Sequence, residues 1–103
     1  MVVVFRNRLR PGVDEQQYAE HVERMYRLAL TMPGLVSSKD FTAADGERLS
    51  IIEFRSADER EVWRRQSEHV AAQHKGRDSY YSEYSIQVCE QRRESRFSLE
   101  TKA

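Results

Sequence analysis

One cysteine, one tryptophan and two prolines are spread over 103 residues, and charge of neither sign prevails. Cys89 alone cannot close an internal disulfide, so the fold has no intrachain covalent staple. The 17 basic residues cancel the 17 acidic ones, and no global field draws the chain to nucleic acid or anionic lipid. No apolar run approaches the roughly 18 residues of a membrane span. The opening Met1-Val2-Val3-Val4-Phe5-Arg6 is apolar for too short a stretch to read as a signal peptide. A soluble, cytoplasmic protein with no nucleic-acid or membrane partner is the expectation. A Gly-rich nucleotide loop, a Cys-x-x-Cys pair and a nucleophile elbow are all missing. His69 and His74 stand five apart, on different faces of a helix, which makes a poor metal pair. Neither a cofactor nor a metal is therefore expected.

What is there alternates between strand and helix. Val2 to Leu9 is rich in β-formers, and Phe5, Asn7 and Leu9 alternate with Arg6 and Arg8 before Pro11-Gly12 ends the strand. Asp14 reads as an N-cap. Tyr18, Val22, Met25, Ala29 and Met32 then recur at helical spacing, with His21 and Leu28 widening the stripe, until Pro33-Gly34. Leu35–Thr42 and Leu49–Arg55 read as strands joined by a turn at Asp45-Gly46. Ser56-Ala57-Asp58-Glu59 is a capping box that opens a helix carrying Val62 and Trp63 inward. Ser67 can restart a second short helix, with Gly76 as a left-handed C-cap. Tyr80 to Cys89 is the last strand, with Tyr84, Ile86 and Val88 on one face.

The order β-α-β-β-α-β implies an α+β ferredoxin-like domain, a four-stranded antiparallel sheet with its helices on one face. Hydrophobic residues make up 39% of the chain and charged residues 33%, which is thin for a lone core. The other sheet face, expected to carry Val2, Val4, Ile52 and Phe54, then needs a cover. A second copy is the simplest one, which makes the chain a homodimer. The domain spans residues 1–92, and 93–103 form a polar tail, either a free end or an arm that crosses to the partner.

The runs Phe5-Arg6-Asn7-Arg8-Leu9-Arg10-Pro11, Met32-Pro33-Gly34-Leu35-Val36-Ser37 and Asp45-Gly46-Glu47-Arg48 form an ordered set with Trp63 to His69, Ala71 to Arg77 and Tyr80-Tyr81-Ser82-Glu83-Tyr84. In that order and spacing they resemble the antibiotic biosynthesis monooxygenase domain family over residues 1–92. The resemblance implies a dimeric α+β barrel. It also implies a cofactor-independent monooxygenase that oxidises an electron-rich phenol, quinol or polyketide-type aromatic with O2. On that reading Trp63 stacks on a flat ring, Asn7 holds oxygen or substrate by hydrogen bonds, and His69 is a general base that forms the phenolate. Phe5, Tyr18, His74 and Tyr84 complete the expected substrate contacts. Two alternatives stay open. One is a non-catalytic dimer that binds a small ligand or a protein partner. The other is a haem-degrading enzyme, because relatives of that kind pair an asparagine in the first strand with a tryptophan in the second helix. The haem reading needs an axial histidine, and His74 reaches the Trp63 face only if the helix runs unbroken.

Overall fold

The computed structural model describes residues 1–99. Its elements are β1 (Val2–Leu9), α1 (Glu15–Leu30), β2 (Leu35–Thr42), β3 (Arg48–Phe54), α2 (Ala57–Arg65), α3 (Ser67–Lys75), a single π-helical turn (Gly76–Tyr80) and β4 (Tyr81–Cys89). The four strands form one antiparallel sheet in the order β2-β3-β1-β4. This is the α+β ferredoxin-like arrangement expected from the element order. Residues 90–99 carry no helix or strand, and Phe97 and Leu99 are each 89% exposed. The rest of the expected tail, 100–103, lies outside the described residues.

Local chemistry sets the boundaries. The Asp14 carboxylate accepts from Gln17 N at 3.0 Å and caps α1, and Ser56 Oγ accepts from Glu59 N at 3.2 Å and caps α2. The hairpin between β2 and β3 closes through Gly46 N donating to Ala43 O, with Gly46 at φ +91°, a backbone state that glycine adopts without strain. Gly34 has a second reason to be glycine: at φ +79°, a Cβ there would overlap the Glu59 carboxylate.

Register decides which side chains meet the helices. Val3 pairs with Ile52 and Val88, Phe5 with Ser50 and Ile86, and Asn7 with Arg48 and Tyr84. Directly paired residues share a face, so these side chains all lie on the helix side. The buried core there is Ala29, Phe54 and Trp63, with Leu35, Met32, Leu28 and Ile52 packed around it. Ile52 and Phe54 are thus core residues, not the outer-face residues expected. The strand begins at Arg48, and its inward parity runs Arg48, Ser50, Ile52, Phe54. The outer face carries Val2, Val4, Leu49, Ile51 and Phe41 beside the ion-paired Arg6 and Arg8.

Two further expectations are corrected. Val62 is 49% exposed, because α2 turns only Trp63 fully inward. Gly76 is no left-handed cap. Its φ is −60°, and the chain runs on into the π-turn. Glycine is needed there because a Cβ would stand 2.5 Å from Cε2 of Tyr81.

Candidate functional site

A cavity of about 150 Å3 lies between the sheet and the helices. Val3, Phe5, Ser50 and Ile52 form its floor, with Ser38 and Asp40 at the β2 side. Helix α1 supplies a wall of Tyr18, His21, Val22 and Met25. Arg60, Trp63 and Arg64 of α2 face that wall, with His69, Ala72 and Gln73 of α3. Tyr81, Tyr84 and Ile86 of β4 close the remaining side. The volume matches the size that admits one benzene ring, about 150 Å3. It falls below the roughly 300–1,000 Å3 of pockets for larger ligands.

The break between α2 and α3 builds one end of the site. Gln66 has φ −59° and ψ 127°, which leaves the helical path. In an unbroken helix the Trp63 carbonyl would accept from the amide of Ser67. Here it accepts from Gln66 N at 3.2 Å and from His69 Nδ1 at 3.0 Å. The Gln66 side chain in turn accepts from His69 N at 2.9 Å and caps α3. These bonds lay the imidazole on the indole, with ring centroids 3.9 Å apart and planes 19° apart. A carbonyl can only accept, so Nδ1 carries a proton. In the neutral ring Nε2 then holds the lone pair. Burial pushes the His69 pKa below its usual value and nearby Arg60 lowers it further, against the opposing effect of the Trp63 carbonyl. The neutral, basic form is the one favoured at neutral pH.

The other end is a cluster of hydroxyls and aromatic rings. The π-turn places Tyr80 against Tyr18 and His21, with centroids 5.2 and 4.9 Å away. A bulge in β4 then pairs Leu9 with Tyr81 but Arg8 with Glu83, leaving Ser82 as the extra residue. That shift turns Tyr81 to the helix side, where Tyr84 already points. The Tyr81 and Tyr18 hydroxyls are 3.1 Å apart. Burial raises the Tyr81 pKa above the ordinary phenol range, so it stays a neutral donor. One O–H serves the bond between the two tyrosines, which leaves one to donate elsewhere. Ser50 donates to Asp40 at 2.6 Å on the facing strands.

Trp63, His69, Phe5, Tyr18 and Tyr84 all line this cavity. Asn7 does not. It is 4% exposed and faces the helices, but it sits outside the lining, and among the described residues its Oδ1 has no hydrogen-bond partner. Asn7 and Trp63 therefore do not line one cavity, although the resemblance gave both a place at the substrate. His74 is exposed and off the cavity, because the break at Gln66 rotates α3 out of phase with Trp63. The residues that sequence reasoning missed are Arg60, Gln73, Asp40, Ser50 and Tyr81. Arg60 reads as part of a solvated face by its charge, yet its side chain is only 18% exposed. Tyr81 has the wrong parity until the bulge is seen.

Among the described residues no group of three or more His, Cys, Asp or Glu side chains is placed to hold a metal. The axial histidine that the haem reading needs, His74, lies off the cavity. No helix among the described residues is long and apolar enough to cross a membrane.

No protein-family model matches the chain. The uncharacterized protein YqjZ of Bacillus subtilis is 34% identical over 84 residues, which cover 82% of this chain and 74% of YqjZ. Among solved structures, Rv0793 from Mycobacterium tuberculosis superposes with a TM-score of 0.79 at 18% identity, over 92% of this chain and 97% of Rv0793. SnoaB from Streptomyces nogalater, a cofactor-independent oxygenase, superposes with a TM-score of 0.64 at 17% identity, over 87% and 94% of the two chains. The chain belongs to the same family as YqjZ, and its fold is that of the antibiotic biosynthesis monooxygenases.

Proposed function

We propose that this protein is a cofactor-independent oxygenase that converts a single-ring, electron-rich phenol or quinol to a quinone with O2. The observation that carries the reading is the His69–Trp63 pair. An imidazole stacked on the indole, with Nδ1 held by a backbone carbonyl, presents an unprotonated Nε2 at a ring-sized cavity. Nε2 takes the phenol proton, and the phenolate gives an electron to O2. The resulting radical pair joins at a hydrogen-bearing ring carbon, para to the oxygen in a phenol and ortho to it in a quinol, and the imidazolium returns its proton to give the hydroperoxide. Loss of water from that hydroperoxide leaves a quinone, so one atom of O2 enters the carbonyl and the other enters water. The spare hydroxyl donor of the Tyr18–Tyr81 pair suits the developing peroxide charge. SnoaB, of the same fold, is a cofactor-independent oxygenase. Oxygen uptake with hydroquinones and anthrones tests the proposal. Turnover of the single-ring compounds, and its loss in His69→Gln, are expected. Preference for the three-ring anthrones, or undiminished turnover in His69→Gln, would refute it.

A second copy of the chain is the proposed cover of the outer sheet face, where Phe41 and Ile51 are exposed beside Val2, Val4 and Leu49. Sedimentation should give twice the 12.2 kDa of the chain.

A further inference from the structure

Among the polar groups at the cavity that the proposed reaction leaves unused, Arg60 is the enclosed cation. Its side chain lies on the cavity wall and is 18% exposed. A guanidinium carries five donors and stays charged, so a half-enclosed one calls for an anionic partner. Among the described residues that partner is inadequate. Arg60 Nη1 stands 3.6 Å from Glu61 Oε2, beyond hydrogen-bond distance. The same carboxylate is already engaged by Arg64 at 2.5 Å and Arg65 at 3.1 Å. One glutamate thus serves three arginines, of which Arg60 and Arg64 line the cavity. Arg64 also reaches the wall, but its side chain is 49% exposed and Glu61 holds it. Asp40, the carboxylate that lines the cavity, belongs to the β2 side with Ser50.

We infer that Arg60 is a specificity residue that binds a carboxylate on the aromatic substrate, so that the substrate class is a phenol or quinol bearing an acid group. The inference rests on the cavity being the substrate site. A single ring held at the edge of the stacked Trp63–His69 pair fills the space, and a carboxylate on it meets the guanidinium in the bidentate geometry that arginine favours. The influence of Arg60 on His69 is consistent with the two groups acting at the same ring. An anion on Arg60 would also offset the positive charge beside the base.

The test separates charge from shape and needs no turnover. Benzoate and benzamide share a ring and a planar substituent and differ in charge. Trp63 is the single tryptophan, so its fluorescence reports on this wall alone. At fixed ionic strength, benzoate is expected to bind at least tenfold more tightly than benzamide. Arg60→Gln should bring the two within about twofold while leaving benzamide affinity unchanged, and Arg64→Gln should preserve most of the preference. Thermal melts of each variant confirm folding, and Arg60→Met serves as a second neutral replacement if the first melts early. Equal affinities in the wild type, or a preference that survives in both Arg60 variants, would overturn the inference. Because neither probe reacts with oxygen, a protein that selects benzoate yet consumes no O2 with any phenol would refute the oxygenase reading and leave the Arg60 site standing.

Discussion

The two β-α-β halves of this molecule share an order and little else. The first half uses one regular helix, α1, of 16 residues with an unbroken inward stripe. The second half covers the same sheet with three pieces, α2, α3 and the π-turn, none longer than nine residues. Regularity supplies a wall: Tyr18, His21, Val22 and Met25 line the cavity simply because they recur at helical spacing. Irregularity supplies the chemistry. The break at Gln66 folds His69 back onto Trp63, and the π-turn followed by the Ser82 bulge delivers Tyr80 and Tyr81 to the helix side. Each departure from periodicity places a side chain where a regular helix or strand could not.

The largest effect should come from removing the anchor of the broken half. Trp63 is 5% exposed and packs on Ala29 and Phe54. Trp63→Ala should cost about 3–5 kcal/mol, measured by urea unfolding. Tyr26 of α1 lines the same cavity but is 42% exposed, and Tyr26→Ala should cost under about 1 kcal/mol. Equal losses in the two variants would mean that the halves carry the core alike, and the comparison would fail.

A smaller effect is expected at the start of the π-turn. Gly76 has an ordinary helical φ, so alanine would normally favour the helix. Here the added Cβ meets the Tyr81 ring at 2.5 Å, and Tyr81 is packed by Phe5 and Tyr18. Gly76→Ala should therefore destabilise the protein by about 1–3 kcal/mol, as overpacking does. A stabilised Gly76→Ala protein would show that the Tyr81 ring yields freely, and that the π-turn does not fix it.

The same contrast explains what the sequence made legible. Strands β1 and β2 and the capped starts of α1 and α2 follow from alternation, Asp14 and Ser56, and the structure has them at the expected residues. The Trp63 wall was legible too, as an aromatic in a helical stripe. His69 was legible only through resemblance. Six residues beyond Trp63, an unbroken helix would turn it some 120° away. The conformation of Gln66, which brings it back, has no composition signal, since glutamine is an ordinary helix former. Tyr81 was hidden by a one-residue bulge, and one residue is enough to reverse a strand face. Arg60 was hidden by its charge, because burial of a guanidinium depends on the concave surface around it and not on its neighbours in sequence.

The Gln66 cap gives the next prediction. Gln66→Ala removes the acceptor for His69 N and should cost about 1 kcal/mol, the usual value of a lost N-cap. Oxygen uptake should fall by more than that stability loss explains, because the imidazole loses one of the bonds that seat it on Trp63. If uptake tracks only the fraction folded, the break is a chain connection and not a positioning device.

The finest distinction between the halves lies in their cavity-lining histidines. His21 on α1 and His69 on α3 both have pKa values pushed below the usual imidazole value, in each case chiefly by burial. Arg24 and Lys75 reinforce the shift at His21. At His69 the Trp63 carbonyl opposes it, while Arg60 adds to it. A histidine whose folded pKa is depressed binds its proton more readily when unfolded. Its contribution is therefore fully present above about pH 6.5 and is lost as pH falls through the depressed folded value. Denaturant unfolding between pH 7 and 5 should show stability falling with acid. His21→Gln and His69→Gln should each make that slope shallower by at most one proton. His69 has a second readout that His21 lacks. Its neutral Nε2 is the proposed base, so oxygen uptake should fall through the same depressed pKa, in the setting of Arg60 and Arg64 from α2, His21 from α1, Asp40 from β2 and Tyr81 from β4. An activity profile that keeps its acid limb in His69→Gln, or one that loses it in His21→Gln, would move the base from the broken half of the molecule to the regular one.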